Sequence, residues 1–138
     1  PNLNLLGDRE QSHYGSTTFN QLKENCSKKG QEIGLDVEFA QSNIEGELVN
    51  IIQDARNKFD GMIINAAAFT HTSVAIRDAL DLFKKPIIEL HLSNIYKREE
   101  FRHKSLISGV VTGGIFGLGA EGYILAIISL QKTLQNEN

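Results

Sequence analysis

The sequence has few of the features that mark secreted, membrane-spanning or nucleic-acid-binding proteins. It contains one cysteine, Cys26, two prolines and no tryptophan in 138 residues. A single cysteine excludes an internal disulfide and fits a reducing compartment, so we expect a cytoplasmic protein. No apolar run approaches the roughly 20 residues of a membrane span, and no signal-peptide pattern opens the chain. The formal net charge of -3 and the lack of a long basic run argue against nucleic acid as a partner.

The remaining composition is that of an ordinary globular protein. With 41% hydrophobic residues, we expect residues 1–138 to form a single domain with a real core. No Cys/His spacing typical of a metal site occurs. Gly117–Gly122 matches the dinucleotide fingerprint G-x-G-x-x-G, but that fingerprint needs a second strand after its helix, and none is predicted here. These glycines are therefore interpreted as a tight turn with close packing.

Hydrophobic periodicity predicts alternating helices and strands. Helices are predicted over residues 18–33, 44–59, 74–83 and 119–134, and strands over 35–40, 61–64, 86–90 and 110–116. Thr18 with Gln21 is typical of a capping box, and residues 1–16 are predicted to be a long loop of the kind that often forms a lid. The alternation favours an α/β fold, in which a parallel sheet is covered by helices on both faces.

Three polar clusters follow, or are able to follow, predicted strands. They lie in residues 1–16, 65–73 and 91–102. Right-handed crossovers place the loops after parallel strands at one edge of the sheet, where ligands of open α/β sheets bind. We therefore expect the clusters to meet in one crevice. Taken singly, most of their side chains are explained as well by solvation, and Thr72 or Ser73 by a helix N-cap.

The clusters contain the parts of an acid–base site. Glu89 and His91 alternate, so in extended chain the carboxylate lies beside the imidazole, orients it and favours its protonated form. His91 is thus a possible acid. Tyr14 is a possible base if a cation stabilises its phenolate, and Arg9 is the nearby candidate. Neutral and cationic donors are supplied by Asn65, His71, Ser93 and Arg102. This set favours acid–base chemistry on a small polyhydroxylated carboxylate.

Several motifs occur in order along the chain. They are Pro1–Gly7, Arg9–Glu10 with Tyr14–Gly15, Gln41–Leu48, Asn65 with Thr70–Ser73, Ile76–Ala79, Glu89–Asn94, Arg98–Glu99 and Phe101–Arg102. Together they resemble the type II 3-dehydroquinate dehydratase family, the dehydroquinases of the shikimate pathway. The resemblance runs from Pro1 to about Leu134. Ala66 stands where the family often has proline, a difference expected to alter the loop but spare the Asn65 amide.

The resemblance implies a reaction and a role for each site residue. The reaction is the reversible trans elimination of water from 3-dehydroquinate to 3-dehydroshikimate through an enolate, in aromatic amino acid biosynthesis, with no metal or cofactor. Tyr14 matches the proton acceptor, and Arg9 matches the lid arginine that stabilises the transition state. His91, held by Glu89, matches the proton donor. Asn2 matches an asparagine that stabilises the enolate. Substrate contacts are implied for Asn65, His71, Leu92, Ser93 and Arg102, and for Asp78 in a neighbouring subunit's site.

The resemblance also implies architecture and assembly. The family is a flavodoxin-like three-layer sandwich with a five-stranded parallel sheet of order 2-1-3-4-5, and it assembles as a homo-oligomer, a dodecamer of trimers. Since family members begin with an apolar strand, we expect a first strand to precede Pro1.

The alternative is a non-catalytic flavodoxin-like binding or signalling module. A receiver-type module needs clustered acidic residues after its first strand, which the segment before Leu6 lacks. A flavin-binding module needs a Ser/Thr-rich phosphate loop, which Ser16–Thr18 only faintly matches.

Overall fold

A computed structural model describes residues 1–136, in which three parallel strands lie between two layers of helices. The helices are α1 (Gln11–Tyr14), α2 (Phe19–Glu32), α3 (Glu45–Ala55), α4 (Val74–Asp81) and α5 (Glu121–Asn136). The strands are β1 (Met62–Ile64), β2 (Ile87–His91) and β3 (Gly113–Phe116). Short 3-10 helices span Leu3–Leu5, Ala67–His71, Ile95–Lys97, Glu100–Arg102 and Ser108–Val110.

The central strand β2 pairs in parallel with both neighbours. Ile87 lies opposite Met62 of β1, and Ile88 lies opposite Gly113 of β3. All five residues of β2 are buried, as expected of a parallel strand covered on both faces. Among residues 1–136, no helix is both long and apolar enough to cross a membrane.

Two apolar clusters fill the space on either side of the sheet. Ile88 and Leu90 of β2 pack with residues of α2 and α5, whereas Ile87 packs with residues of α3 and α4. Because successive side chains of a strand point to opposite faces, Glu89 and His91 lie on the same face as Ile87. Cys26 is buried in the first cluster, and burial raises the pKa of its thiol to about 11, so it behaves as a small hydrophobe.

The predicted capping box at Thr18 is confirmed, and of the two candidate caps Thr72 and Ser73 it is Ser73 that begins the later helix. The Gln21 amide donates to Thr18 Oγ1 at 3.2 Å, and the Thr18 amide donates to Gln21 Oε1 at 2.9 Å, which completes the capping box. Ser73 caps α4, since its Oγ accepts from the Ile76 amide at 2.9 Å. Each cap satisfies helix donors that would otherwise lack a partner.

The α/β fold with a parallel sheet is confirmed, and four details differ from the sequence prediction. The strand predicted over 35–40 is wrong: Leu35, Val37 and Phe39 pack on the core in alternation, but no strand among residues 1–136 lies beside them to form a ladder. The described residues therefore contain three strands rather than the four predicted within them, in an order that matches the last three of the predicted sheet. β3 begins only at Gly113, and α3 ends at Ala55. The N-terminal loop contains the one-turn helix α1.

Candidate active site

A cavity of about 150 Å³ opens where β1 and β2 end. All three polar clusters contribute to its wall, so the prediction that they meet in one crevice is confirmed. The predicted site residues that line it are Asn2, Arg9, Tyr14, Asn65, His71, His91, Leu92, Ser93 and Arg102. The cavity brings these residues together, and their individual roles stay predictions.

Tyr14 lies between two guanidinium groups. Arg9 Nη2 and Arg98 Nη1 each donate to the Tyr14 hydroxyl at 3.0 Å. Arg9 Cζ also lies 4.0 Å from the centre of the tyrosine ring, within the range of a cation–π contact. The one-turn helix α1 places Tyr14 at its C-terminal end, and Gly15, at φ 74°, then turns the chain in a conformation that favours glycine. Two guanidinium groups therefore converge on one phenolic oxygen.

Arg98 makes a contact with Tyr14 that the sequence pattern does not predict, since the pattern marks the two arginines after Ser93 only as suited to a ligand's hydroxyls and carboxylate. The residue lies in a charged run, which is typical of a solvated segment, although Arg98–Glu99 is one of the ordered motifs. The structure turns its guanidinium inward, where Nη1 donates to Ser93 Oγ at 3.2 Å as well as to Tyr14. The signal available in the sequence was its position five residues after Ser93, within the polar cluster that was expected to line the crevice.

The second half of the site is the buried pair Glu89 and His91. Both residues are 6% exposed, and His91 Nε2 lies 3.8 Å from Glu89 Oε2, an ion-pair distance rather than a hydrogen bond. The Glu89 carboxylate accepts a hydrogen bond from Ser105 Oγ and another from Ser108 Oγ, both at 2.6 Å. Burial alone would raise the pKa of Glu89, but its contacts with His91, Ser105 and Ser108 outweigh burial and hold the pKa below its usual value.

Asn65 is fixed from two sides. Its Nδ2 donates to the Tyr123 hydroxyl at 3.1 Å, and its Oδ1 accepts from the Ala67 amide at 3.2 Å. One amide proton is left to meet a ligand. Burial raises the pKa of Tyr123 even though the hydrogen bond from Asn65 lowers it, so Tyr123 stays a neutral phenol. The sequence predicted Tyr123 only as part of an apolar helix stripe.

The remaining polar groups also have fixed orientations. His71 Nδ1 lies 2.7 Å from the Lys104 carbonyl oxygen, and because a carbonyl only accepts, Nδ1 carries the proton. The His71 ring stacks on the His91 ring with centroids 6.3 Å apart. Arg102 Nε donates to Glu99 Oε2 at 2.6 Å.

Two predicted residues lie outside this cavity. Glu89 lines a second cavity of about 230 Å³, which shares His91 with the first and adds Ser108 and Gly114. Asp78 is exposed on α4 and does not line the first cavity of its own chain. Its predicted contact with a neighbouring subunit's site stays a prediction.

The electrostatic character of the first cavity is cationic. Arg9, Arg98 and Arg102 line it, and none of its lining residues in the described part of the chain is Asp or Glu. Guanidinium groups bind carboxylates through paired hydrogen bonds, so the cavity suits an anionic ligand that also bears hydroxyls. Within residues 1–136, no group of three or more His, Cys, Asp or Glu side chains is arranged to hold a metal ion.

A family model, related sequences and a solved structure all relate this chain to the same family. The family model described as "Dehydroquinase class II" matches residues 1–131. The 3-dehydroquinate dehydratase of Clostridium perfringens (strain SM101 / Type A) is 50% identical over 138 residues, which cover 99% of this chain and 94% of that protein. The 3-dehydroquinate dehydratase 2 of Pseudomonas putida is 49% identical, with 98% of this chain and 91% of that protein covered. The crystal structure of the type II dehydroquinase from Propionibacterium acnes matches with a TM-score of 0.92 and 45% identity, covering 96% of this chain and 91% of that chain. The chain belongs to the class II dehydroquinase family.

Proposed function

We propose that this chain catalyses the reversible trans elimination of water from 3-dehydroquinate to give 3-dehydroshikimate, in the shikimate pathway. The observation that carries the proposal is the pairing of a base and an acid in one cationic cavity. Tyr14 with its two arginines and His91 line the same space, and the Glu89 carboxylate lies 3.8 Å from His91 Nε2 behind that wall. Elimination through an enolate needs such a division of labour, because a proton leaves one carbon and a hydroxide leaves another.

The first step is removal of the C2 proton by the Tyr14 phenolate. A free phenol titrates near ~10 and is a poor base at neutral pH. Arg9 and Arg98 both donate to the phenolic oxygen, so they fix that oxygen in the cavity and place positive charge beside it during the proton transfer. Asn2, at the rim of the same cavity, stabilises the negative charge that develops on the enolate oxygen.

The second step is departure of the C1 hydroxyl, protonated by His91. The C–O bond breaks as the enolate electrons form the C1–C2 double bond, and the hydroxyl leaves as water with the proton from the imidazolium. The nearby Glu89 carboxylate stabilises that imidazolium before the transfer. One proton is taken by Tyr14 and one is given by His91, so the reaction consumes no net proton. No step of this sequence uses a metal or a cofactor.

Substrate binding uses the remaining donors of the cavity. The substrate carboxylate meets the free amide proton of Asn65, the Ser93 hydroxyl and the backbone of Leu92 and Ser93. Ring hydroxyls meet His71 and Arg102. These groups form a rigid frame, since each already has at least one partner within the protein.

The proposed assembly is a dodecamer of trimers in the cytoplasm. In it, Asp78 reaches from α4 of one subunit into the site of its neighbour, which agrees with its exposed position on α4. Closed symmetric assemblies are the usual form of homo-oligomers. Light scattering after size exclusion gives the mass, and activity on dilution tests the shared site. Full activity of a dilute monomer would contradict it.

The deciding experiment for the reaction is the growth of ultraviolet absorbance from the enone product after 3-dehydroquinate is added. We expect turnover by the wild-type chain and a loss of about 10²–10⁴-fold in Tyr14→Phe, the usual contribution of a general base. The matched control is Tyr96→Phe, because Tyr96 is 55% exposed and does not line the first cavity. A flat trace from folded, assembled wild-type protein would favour a non-catalytic binding module.

A further inference from the structure

The Glu89 carboxylate accepts hydrogen bonds from two serine hydroxyls that lie on a separate segment of the chain. Ser105 Oγ donates to Oε1 and Ser108 Oγ donates to Oε2, each at 2.6 Å. Each carboxylate oxygen therefore has its own donor, and the carboxylate cannot rotate without breaking one of them. Hydrogen bonds of this length to an ionised group are among the strong ones in proteins.

The segment that presents the two serines is itself anchored. Ser105 Oγ accepts from the amides of Ile107 and Ser108 at 3.2 and 3.0 Å, so its only hydroxyl proton is directed to Glu89. Leu106 ties the segment to the rest of the fold: its amide donates to the Thr70 carbonyl at 2.8 Å, and its carbonyl accepts from the Arg77 guanidinium at 2.6 Å. The positions of the two hydroxyls are therefore fixed by the anchored backbone of this segment.

These two hydrogen bonds matter because Glu89 interacts with His91 electrostatically and not through a direct hydrogen bond. At 3.8 Å from Nε2, the carboxylate stabilises an imidazolium only while it is ionised and held in place. A carboxylate that is 6% exposed is costly to ionise without donors. The other titratable groups around the pair are His71, which stacks on the His91 ring, and the cavity residues Arg9, Tyr14, Arg98 and Arg102.

We propose that Ser105 and Ser108 are positioning residues for the acid His91, because they hold the Glu89 carboxylate ionised and fixed beside the imidazole. The inference rests on the proposed function, in which His91 donates the proton. Neither serine lines the first cavity, so both act through Glu89 and not on the substrate. Their loss should lower kcat and leave KM nearly unchanged.

The cleaner variant is Ser108→Ala, because the Ser108 side chain has no role in the turn that Ser105 organises. We expect kcat to fall by about 10- to 150-fold, the range that follows from losing one hydrogen bond to a charged group. The alkaline limb of the pH–kcat profile, where His91 must still hold its proton, should move to lower pH. Ser108→Thr keeps the hydroxyl on an exposed residue with room for a methyl, and should restore both.

The matched control is Thr70→Val. Thr70 is fully buried in the neighbouring segment, and its hydroxyl has no hydrogen-bond partner among residues 1–136. The variant removes a nearby hydroxyl without touching Glu89, and its kcat and pH profile should match the wild type. An equal loss in Thr70→Val and Ser108→Ala, with an unmoved alkaline limb in both, would overturn the proposal in favour of a merely structural role.

A second readout separates this inference from the proposed function. The Cε1 proton resonance of His91, followed by NMR against pH without substrate, reports the imidazole directly. In Ser108→Ala the imidazole should lose its proton at lower pH than in the wild type, and Ser108→Thr should reverse the shift. Identical titrations in wild type and Ser108→Ala would overturn the positioning role. If the wild-type chain shows no turnover but Ser108→Ala still shifts the His91 titration, the proposed reaction is overturned. The positioning of Glu89 by the serines is then supported on its own.

Discussion

The replacement of Arg98 by methionine tests the idea that two cations share the activation of Tyr14. Arg98→Met keeps most of the side-chain volume but removes the donor that lies 3.0 Å from the Tyr14 hydroxyl and 3.2 Å from Ser93 Oγ. A hydrogen bond to a charged group contributes about 1.5–3 kcal/mol. Since each 1.36 kcal/mol corresponds to about tenfold in rate, kcat at neutral pH should fall by roughly 10- to 150-fold. The loss is partial because Arg9 still donates to the phenolate.

The assay is enone absorbance under saturating substrate at pH 7. Arg56→Met serves as the control, because Arg56 is exposed at the end of α3, away from the cavity. Wild-type kcat in Arg98→Met, or an equal loss in Arg56→Met, would refute the shared activation.

Three further predictions concern the acid, its partner and the amide frame. His91→Ala should slow dehydration by about 10²–10⁴-fold while deuterium exchange at C2 persists, because Tyr14 still forms the enolate; loss of exchange in this variant but not in Tyr14→Phe would mean that base and acid are reversed. Because the pKa of Glu89 is lowered in the fold, its ionised form stabilises the protein above the ordinary glutamate value of about 4.3, and that stability is lost as the pH falls through the folded-state pKa. Urea unfolding of Glu89→Gln should therefore show less acid destabilisation below about pH 4.3 than the wild type, and parallel curves would contradict this. Tyr123→Phe removes the 3.1 Å hydrogen bond that holds the Asn65 amide. Because a neutral hydrogen bond contributes about 1 kcal/mol, KM should rise about fivefold while kcat stays nearly constant. An unchanged KM would show that Asn65 needs no such support.

Much of the fold was predictable because its signals are local. The apolar stripes of α2 and α5, the Thr18 capping box and the buried run of β2 depend on residues within a few positions of one another. Alternation along β2 likewise places Glu89 and His91 on one face from the sequence alone. The strand predicted over 35–40 failed for the complementary reason: its alternation of buried and exposed residues is present, but a strand also needs a partner, and pairing is not a local property.

The site, like the fold, has features that the sequence predicts and features that depend on contacts between distant residues. The order of residues establishes which chemical groups are available, and the succession of motifs points to Tyr14, His91 and Glu89. Which of these groups are in contact depends on the folded chain: Arg98 reaches a tyrosine 84 positions away, and Ser105 and Ser108 reach Glu89 from 16 and 19 positions away. The direction of a side chain on an irregular segment depends on backbone angles that neither helical nor strand periodicity specifies. Those angles are set by distant contacts, such as the anchoring of Leu106 by Thr70 and Arg77, and they decide whether a side chain of such a segment faces solvent or the interior.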